Sequence, residues 1–396
     1  MNKKEIKNLI YVGGNIGIND TAMGIHAKNL ASLFTLLGYN ISFICQNTPS
    51  EEKKFINEEK YNYYYTKRYI KFPKIKIIED IIEEFIGIKL FLLFKKIIKE
   101  KKPEIVVFYG TSCEKKIINY CKRKKIPIYI DETDWFELDD REGFFLTKYY
   151  RNYRENYNIE KLNFRANGVI AISKYFFKYY EEKGQHCIWI PPIFKIESFK
   201  EKQIKKPIKL IYAGSLAGNK DIIDPVIRLL LFKINLNRIY FHLDLIGISE
   251  LDLNRKFGEF NWKSKGIYAW GRLTHNETLN KIKQADFSIL LRQNKRYAKA
   301  GFSTKFAESL TQSVPIICTE IGGSDCLIKN FNNGILVKDN TEKTIEEVLN
   351  QILNLPFLEI EDMRRKAYKT ALEKLDYRVY KNSLKQFIEE TKNKYV

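Results

Sequence analysis

The chain has 396 residues, 44% of them hydrophobic and 29% charged; Lys+Arg 68 against Asp+Glu 48 gives a formal net charge of +20. That length exceeds what one hydrophobic core normally fills, so two domains are expected, and the apolar content excludes a disordered chain, a collagen-like fibre or a coiled coil. The charge points either to an anionic partner (nucleic acid, an acidic membrane surface, a phosphate-bearing substrate) or to a Lys-, Ile- and Asn-rich bias spread along the chain.

In chain order, a basic start at Met1–Lys7 runs into an apolar strand and then glycines, a pattern unlike a signal peptide. Strand-like runs in the first half are Asn8–Val12, Ile41–Cys45, Ile105–Tyr109, Ile126–Ile130, Val169–Ile172 and Ile188–Ile190. Those in the second half are Lys209–Ala213, Phe241–Ile246, Gly266–Trp270, Phe287–Leu291, Val314–Cys318 and Gly334–Val337. Short Ile/Val-rich runs separated by helix-length segments predict buried parallel strands in βα units. The Tyr-rich segment Tyr61–Tyr69 reads as loop and helix surface. From Ile75 to Lys99 the chain predicts an amphipathic helix that either covers a sheet or rests on anionic lipid. Its apolar stretch Phe85–Phe94 contains Lys89 and is too short to span a bilayer, so the expected protein is soluble or attached to one membrane face. After Ile190, the pair Pro191-Pro192 and the Lys-rich stretch to Lys206 mark a domain exit, with a linker near 193–206. The predicted division is 1–195, 206–375 and a last helix within 376–396.

No cysteine pair has CxxC spacing, which fits a reducing cytoplasm, and the four histidines lack ligand-pair spacing, so no metal site is expected. Three loops could carry chemistry. Gly13-Gly14-Asn15-Ile16-Gly17 follows a strand and precedes the helix Thr21–Leu37, where backbone amides can face an anion. Its GGxxG spacing, and Gln46-Asn47-Thr48 after the second strand in place of an acid, disfavour an NAD site. Gly214-Ser215-Leu216-Ala217-Gly218-Asn219-Lys220 combines glycines with a lysine that either neutralises a diphosphate or is simply solvated, and it lacks the Walker pattern. The densest run ends a strand at Arg292, continues through a cationic loop, and opens a helix at Gly301-Phe302-Ser303-Thr304, with Ser303 or Thr304 as cap. Lys305 and Glu308 then share a helical face, either as an i,i+3 ion pair or as ligands for a phosphate and a ribose diol. In the first half, Asp131-Glu132-Thr133-Asp134 follows a strand; its carboxylates either orient an acceptor hydroxyl or begin a capped helix with Asp131 or Thr133 as cap.

The segment AGFSTKFAESLTQSVPIICTEIGG (300–323) resembles the nucleotide-sugar-binding signature of family 4 glycosyltransferases, especially capsule and cell-surface polysaccharide members. VGGNIG, AISKYFFKYYEEKG with WIPPI, YAGSLAGNKD and WGRLTH match in order, and the resemblance runs from Leu9 to Val337, with 48–100 poorly matched. It implies an α/β GT-B fold, two Rossmann-like domains with parallel sheets facing a central cleft, and a last helix that returns to the N-terminal domain. Position by position it implies that Glu308 holds the nucleotide ribose, Lys220 the diphosphate, Gly271-Arg272-Leu273 the base, and that Gly13 and Gly14 face the donor. Ala300 stands where the family has a first acid, and Ser215 where it has a diphosphate-binding arginine, a role open to Arg292 or Lys305.

The expected activity is sugar transfer from an NDP-sugar to a cell-surface polysaccharide or lipid-linked glycan, retaining and without metal or cofactor. Asp134, Lys220 and Arg292 are the candidate catalytic residues. Gly214, Gly301, Phe302, Ser303, Thr304 and Lys305 complete the expected donor set. A non-catalytic sugar-nucleotide-binding subunit and a nucleotide-sugar epimerase of the same fold are the alternatives. Nucleic acid is disfavoured because the basic residues form no single stripe. The expected location is the cytoplasm, or the inner face of the cell membrane.

Overall fold

The computed structural model describes residues 7–14, 16, 21–46, 55–57, 61–66, 87–110, 113–141, 145–199, 201–214 and 220–392. The chain divides into two compact units, one formed by 1–135, 142–193 and 377–396, the other by 136–141 and 194–376. It therefore leaves the first unit between Ile193 and Phe194 and re-enters it at Tyr377.

In the first unit the strands are β1 (Lys7–Gly13), β2 (Tyr39–Cys45), β3 (Phe55–Asn57), β4 (Asn62–Tyr65), β5 (Ile105–Tyr109), β6 (Ile128–Glu132), β7 (Gly168–Ala171) and β8 (Cys187–Trp189). Their order is β3-β4-β2-β1-β5-β6-β7-β8, parallel throughout except for the β3–β4 pair at the edge. Central strands such as β1, with five consecutive buried residues, are covered on both faces, which is why they are continuously apolar. The Tyr-rich segment is a correction: residues 62–65 form β4 beside β2, and Tyr63 stacks on Phe43 with centroids 4.8 Å apart. Residues 67–69 lie outside the described set. Of the amphipathic segment expected at Ile75–Lys99, residues 75–86 also lie outside it; the described helix Ile88–Lys101 buries Leu90, Phe94, Ile97 and Ile98.

The second unit contains β9 (Ile208–Ala213), β10 (Phe241–Ile246), β11 (Ile267–Gly271), β12 (Phe287–Leu290), β13 (Ile316–Thr319) and β14 (Ile335–Val337), all parallel in the order β11-β10-β9-β12-β13-β14. Both sheets reverse direction of winding beside their first strand, between β1 and β5 and between β9 and β12. In open α/β sheets that switch point is where the carboxyl ends of strands leave a ligand crevice. The helix Lys381–Lys392 inserts Leu384, Phe387 and Ile388 into the first unit's core. Gly168 makes room for the Phe387 ring, and Thr391 bonds the Tyr129 hydroxyl at 3.0 Å. Among the described residues no helix is long and apolar enough to cross a membrane.

Candidate functional site

In the second unit the carboxyl edge is built around one acid. Arg292, the second residue past β12, donates from Nε to Asp221 Oδ1 at 2.7 Å, and Lys305 Nζ reaches Asp221 Oδ2 at 2.5 Å. Burial pushes the Asp221 carboxyl up, but the two cations more than offset this and hold it below the usual carboxylate range. The backbone at Arg292 is fixed as well: its N–H donates to Thr319 Oγ1 at 2.8 Å, at the end of β13. Two cations on one carboxylate leave a surplus positive charge at the sheet edge, held in place before any ligand arrives.

Gly214 follows β9 against this cluster. A methyl group there would strike the Tyr212 hydroxyl and come within 2.7 Å of the Lys305 ammonium. Gly247, at φ +84°, packs so closely that a Cβ would lie 2.6 Å from the Gly214 carbonyl oxygen. Ser215, the expected donor-binding position, lies outside the described residues along with 216–219.

Lys220 is exposed and stands apart from the Asp221 cluster: its ammonium lies 4.3 Å from the centroid of the Phe136 ring, and its carbonyl accepts the Tyr297 hydroxyl at 2.9 Å. Phe136 also stacks on Tyr297, and Arg296 donates to the Phe136 carbonyl at 3.1 Å. Lys295 pairs with Asp140 at 2.7 Å.

The helix Arg296–Ala300 ends with Ala300 fully buried, so it presents no polar group where the family's first acid would be. Gly301, Phe302 and Ser303 lead into the helix Thr304–Thr311, and Gly301 is pressed against Gly322, whose added Cβ would sit 2.6 Å from the Gly301 carbonyl oxygen. Ser303 holds the N-cap position, but its side chain makes no capping bond, nor does Thr304 serve as the cap. First-turn amides of the helix are thus left without a side-chain partner from Ser303.

Lys305 and Glu308 do not settle as an i,i+3 pair, because the ammonium goes to Asp221. Glu308 is buried, and burial pushes its carboxyl up to about 7 while Lys305 pulls in the opposite direction. His275 Nδ1 lies 3.8 Å from Glu308 Oε1. His275 opens a helix held by the Thr274–Glu277 capping box, directly after the Gly271-Arg272-Leu273 turn. In that turn Gly271 takes φ +63° and accepts the Gly247 N–H at 2.6 Å, Arg272 is exposed, and Leu273 packs on an apolar cluster with Ile211 and Ile246.

The first unit's edge has a different chemistry. Asp131, at the end of β6, accepts from the Tyr11 hydroxyl and faces His26 Nε2 with both oxygens at 3.0 Å. Burial pulls the His26 imidazole down, but the Asp131 carboxylate outweighs it, with Asp134 adding in the same sense, so the pKa ends raised. Thr133 donates to the Tyr109 hydroxyl at 3.0 Å, and Glu132 accepts from Asn163 at 2.5 Å and Tyr180 at 3.0 Å. The capped-helix reading of this segment is therefore set aside: Asp131 and Thr133 bond to side chains of other strands and helices. Asp134 is half-buried within electrostatic reach of His26 and Tyr109. Gly13 ends β1, where an added methyl would lie 2.9 Å from Tyr109 Cβ; the Gly14 carbonyl accepts the Gln46 N–H at 2.9 Å. Residue 15 and residues 17–20 of that loop lie outside the described set.

Sequence reasoning missed three partners: Asp221, Tyr11 and His26. Asp221 directly follows Lys220 in the sequence, but its partners Arg292 and Lys305 are 71 and 84 residues away, so no local pattern marks it.

Residues 194–373 match the family model described as glycosyl transferases group 1. That segment is a glycosyl transferases group 1 domain. The chain is 26% identical over 295 residues to an uncharacterized glycosyltransferase of Methanocaldococcus jannaschii, a match that takes in 69% of this chain and 65% of the relative's length. Among solved structures it is similar to sucrose-phosphate synthase of Thermosynechococcus elongatus, with a TM-score of 0.72 at 12% identity over 97% of this chain and 98% of that one. It is also similar to Anabaena HepE in complex with UDP-glucose, with a TM-score of 0.61 at 11% identity over 97% and 99%. The group 1 domain thus coincides with the second unit, and the chain has the two-domain GT-B fold.

Proposed function

We propose that the protein is a glycosyltransferase that takes a sugar from a nucleotide-diphosphate donor and passes it to a cell-surface polysaccharide or lipid-linked glycan. The observation that carries this reading is the Arg292–Asp221–Lys305 cluster one helical turn from buried Glu308, on the carboxyl edge of a group 1 domain. A departing diphosphate gains negative charge, and Arg292, Lys305, Lys220 and the amides that open helix Thr304–Thr311 are suited to stabilise it without a metal. Glu308 takes the ribose hydroxyls, Gly271-Arg272-Leu273 the base, and Gly13, Gly14, Gly214 and Ser215 allow close approach of the donor. Asp134 orients the acceptor hydroxyl, and the anomeric configuration is retained. The place of work is the cytoplasm, at the inner face of the cell membrane.

A panel of UDP-, GDP-, ADP- and CMP-sugars tested by thermal shift, with Glu308→Ala alongside, checks the donor assignment; no stabilisation by any of them overturns it. Nucleotide release in the presence of acceptor extracts, unchanged by EDTA, is the expected sign of metal-independent transfer. The buried methyl of Ala300 favours one second reading, a subunit that binds the sugar nucleotide without transferring it. Donor stabilisation with no nucleotide release from any acceptor would select it.

A further inference from the structure

The helix Phe145–Tyr157 of the first unit has no buried residue, unlike the core-covering helix Ile88–Lys101. Phe145, Tyr149, Tyr153 and Tyr157 recur every fourth residue and so form one ridge, with Leu146 beside it. Phe145, Leu146, Tyr149 and Tyr153 are 63%, 62%, 48% and 68% exposed, and Tyr157 is exposed as well. The rings pack on one another along the ridge, Phe145 on Tyr149 at 4.5 Å and Tyr153 on Tyr157 at 6.3 Å. Lys148 and Arg154 flank the ridge and Arg151 lies on the far side, against the single acid Glu155. Soluble surfaces carry single exposed apolar residues routinely; a row of five on one helix marks a contact site.

We propose that this ridge is the surface by which the protein docks on an anionic lipid bilayer, deepening the membrane-face location in the reading above. An aromatic and aliphatic face with lysine and arginine around it is what a helix lying in the headgroup plane requires: rings enter the boundary region and cations meet acidic headgroups. Docking to a second copy of this chain fits less well. A two-fold contact through the ridge would set Lys148 and Arg154 of one copy against the same cations of the other.

Flotation of the full chain with vesicles of phosphatidylcholine, with and without phosphatidylglycerol, tests the proposal. The wild type is expected to float with the anionic vesicles and to remain unbound with the neutral ones, binding less at high salt. The variant Phe145→Ser/Leu146→Ser/Tyr153→Ser should lose at least about ten-fold in partitioning. Lys148→Gln and Arg154→Gln should each lose about five-fold, and Arg151→Gln, on the far side, less. Tyr149→Phe/Tyr153→Phe should bind as the wild type does. None of these side chains is buried, so melting temperatures should stay near that of the wild type, and NDP-sugar thermal shifts should persist in the serine variant. Three results overturn the proposal: no flotation of the wild type, equal flotation on neutral vesicles, or equal flotation of the serine variant. A dimer seen in sedimentation and abolished by the serine variant, with vesicle binding intact, overturns it too. Loss of the donor shift in the wild type would instead strike at the transferase reading and leave the docking result standing.

Discussion

The two units share a strand order but not an electrostatic character. At the first unit's carboxyl edge, β6 delivers Asp131 and Glu132 into a setting of tyrosines, asparagine and one histidine. Burial raises Glu132 well above the carboxylate range and takes nearby Glu114 to about 8. At the corresponding edge of the second unit, the loop after β12 delivers Arg292, and the single acid it faces is held below its ordinary value by two cations. The fold supplies the same address twice; the side chains placed there decide which one suits an anion.

The largest effect expected is on the first unit. His26→Leu leaves the Asp131 carboxylate buried with the Tyr11 hydroxyl as its remaining described partner, and should cost about 3–5 kcal/mol in denaturant unfolding. Because the folded pKa of His26 is raised above 6.5, its contribution is fully present below 6.5 and is lost as pH rises through the folded value. Wild type and variant should therefore converge in stability at high pH; a constant gap would show that the pair is not ionic. In the second unit, Arg292→Leu should lower donor-dependent nucleotide release about a hundred-fold, since a preorganised charge is removed from the leaving group. A fall of less than about three-fold would assign the leaving-group role elsewhere, with Lys220 next in line.

Two glycines sharpen the comparison at smaller scale. Gly184 of the first unit has φ +73° with nothing within 4 Å of an added methyl, whereas Gly247 of the second has φ +84° and the Gly214 carbonyl at 2.6 Å. Gly184→Ala should cost only the left-handed backbone penalty, about 1 kcal/mol. Gly247→Ala adds a clash with rigid backbone and should cost about 2 kcal/mol or more. Equal shifts in urea midpoint would mean that the loop after β9 yields to the methyl.

Much of this was legible in the chain. Every strand-like apolar run from Asn8–Val12 to Gly334–Val337 corresponds to an observed strand within a few residues, because buried parallel strands are apolar on both faces. Residues 62–65 escaped because Asn and Tyr carry no aliphatic signal, and the ring that holds Tyr63 belongs to Phe43 on another strand. The cations at the second unit's carboxyl edge stood out as a dense run. Their anchor did not: Asp221 is 71 residues from Arg292 and 84 from Lys305, and nothing local distinguishes it from a solvated loop acid. His26 and Tyr11 escaped similarly, since each meets Asp131 from more than 100 residues away.

Glu308 offers the finest test, because its burial and the ribose contact proposed for it pull in opposite directions with pH. Its folded pKa of about 7 lies above the ordinary 4.5, so the folded chain holds the proton more tightly than the unfolded one. The resulting stabilisation is complete below 4.5 and is lost as pH rises through about 7. Donor binding should run the other way, since the ionised carboxylate is the better acceptor for a ribose diol. Below about 7, affinity for the NDP-sugar should weaken by up to about ten-fold per pH unit while the protein itself becomes harder to unfold. Glu308→Gln should flatten both curves, lowering affinity at pH 8 by about ten-fold through loss of the charged acceptor. Isothermal titration and urea melts across the same pH series read the two slopes separately. If the stability slope flattens in the variant but the binding slope persists, Glu308 is a buried structural acid and the ribose is held by another group.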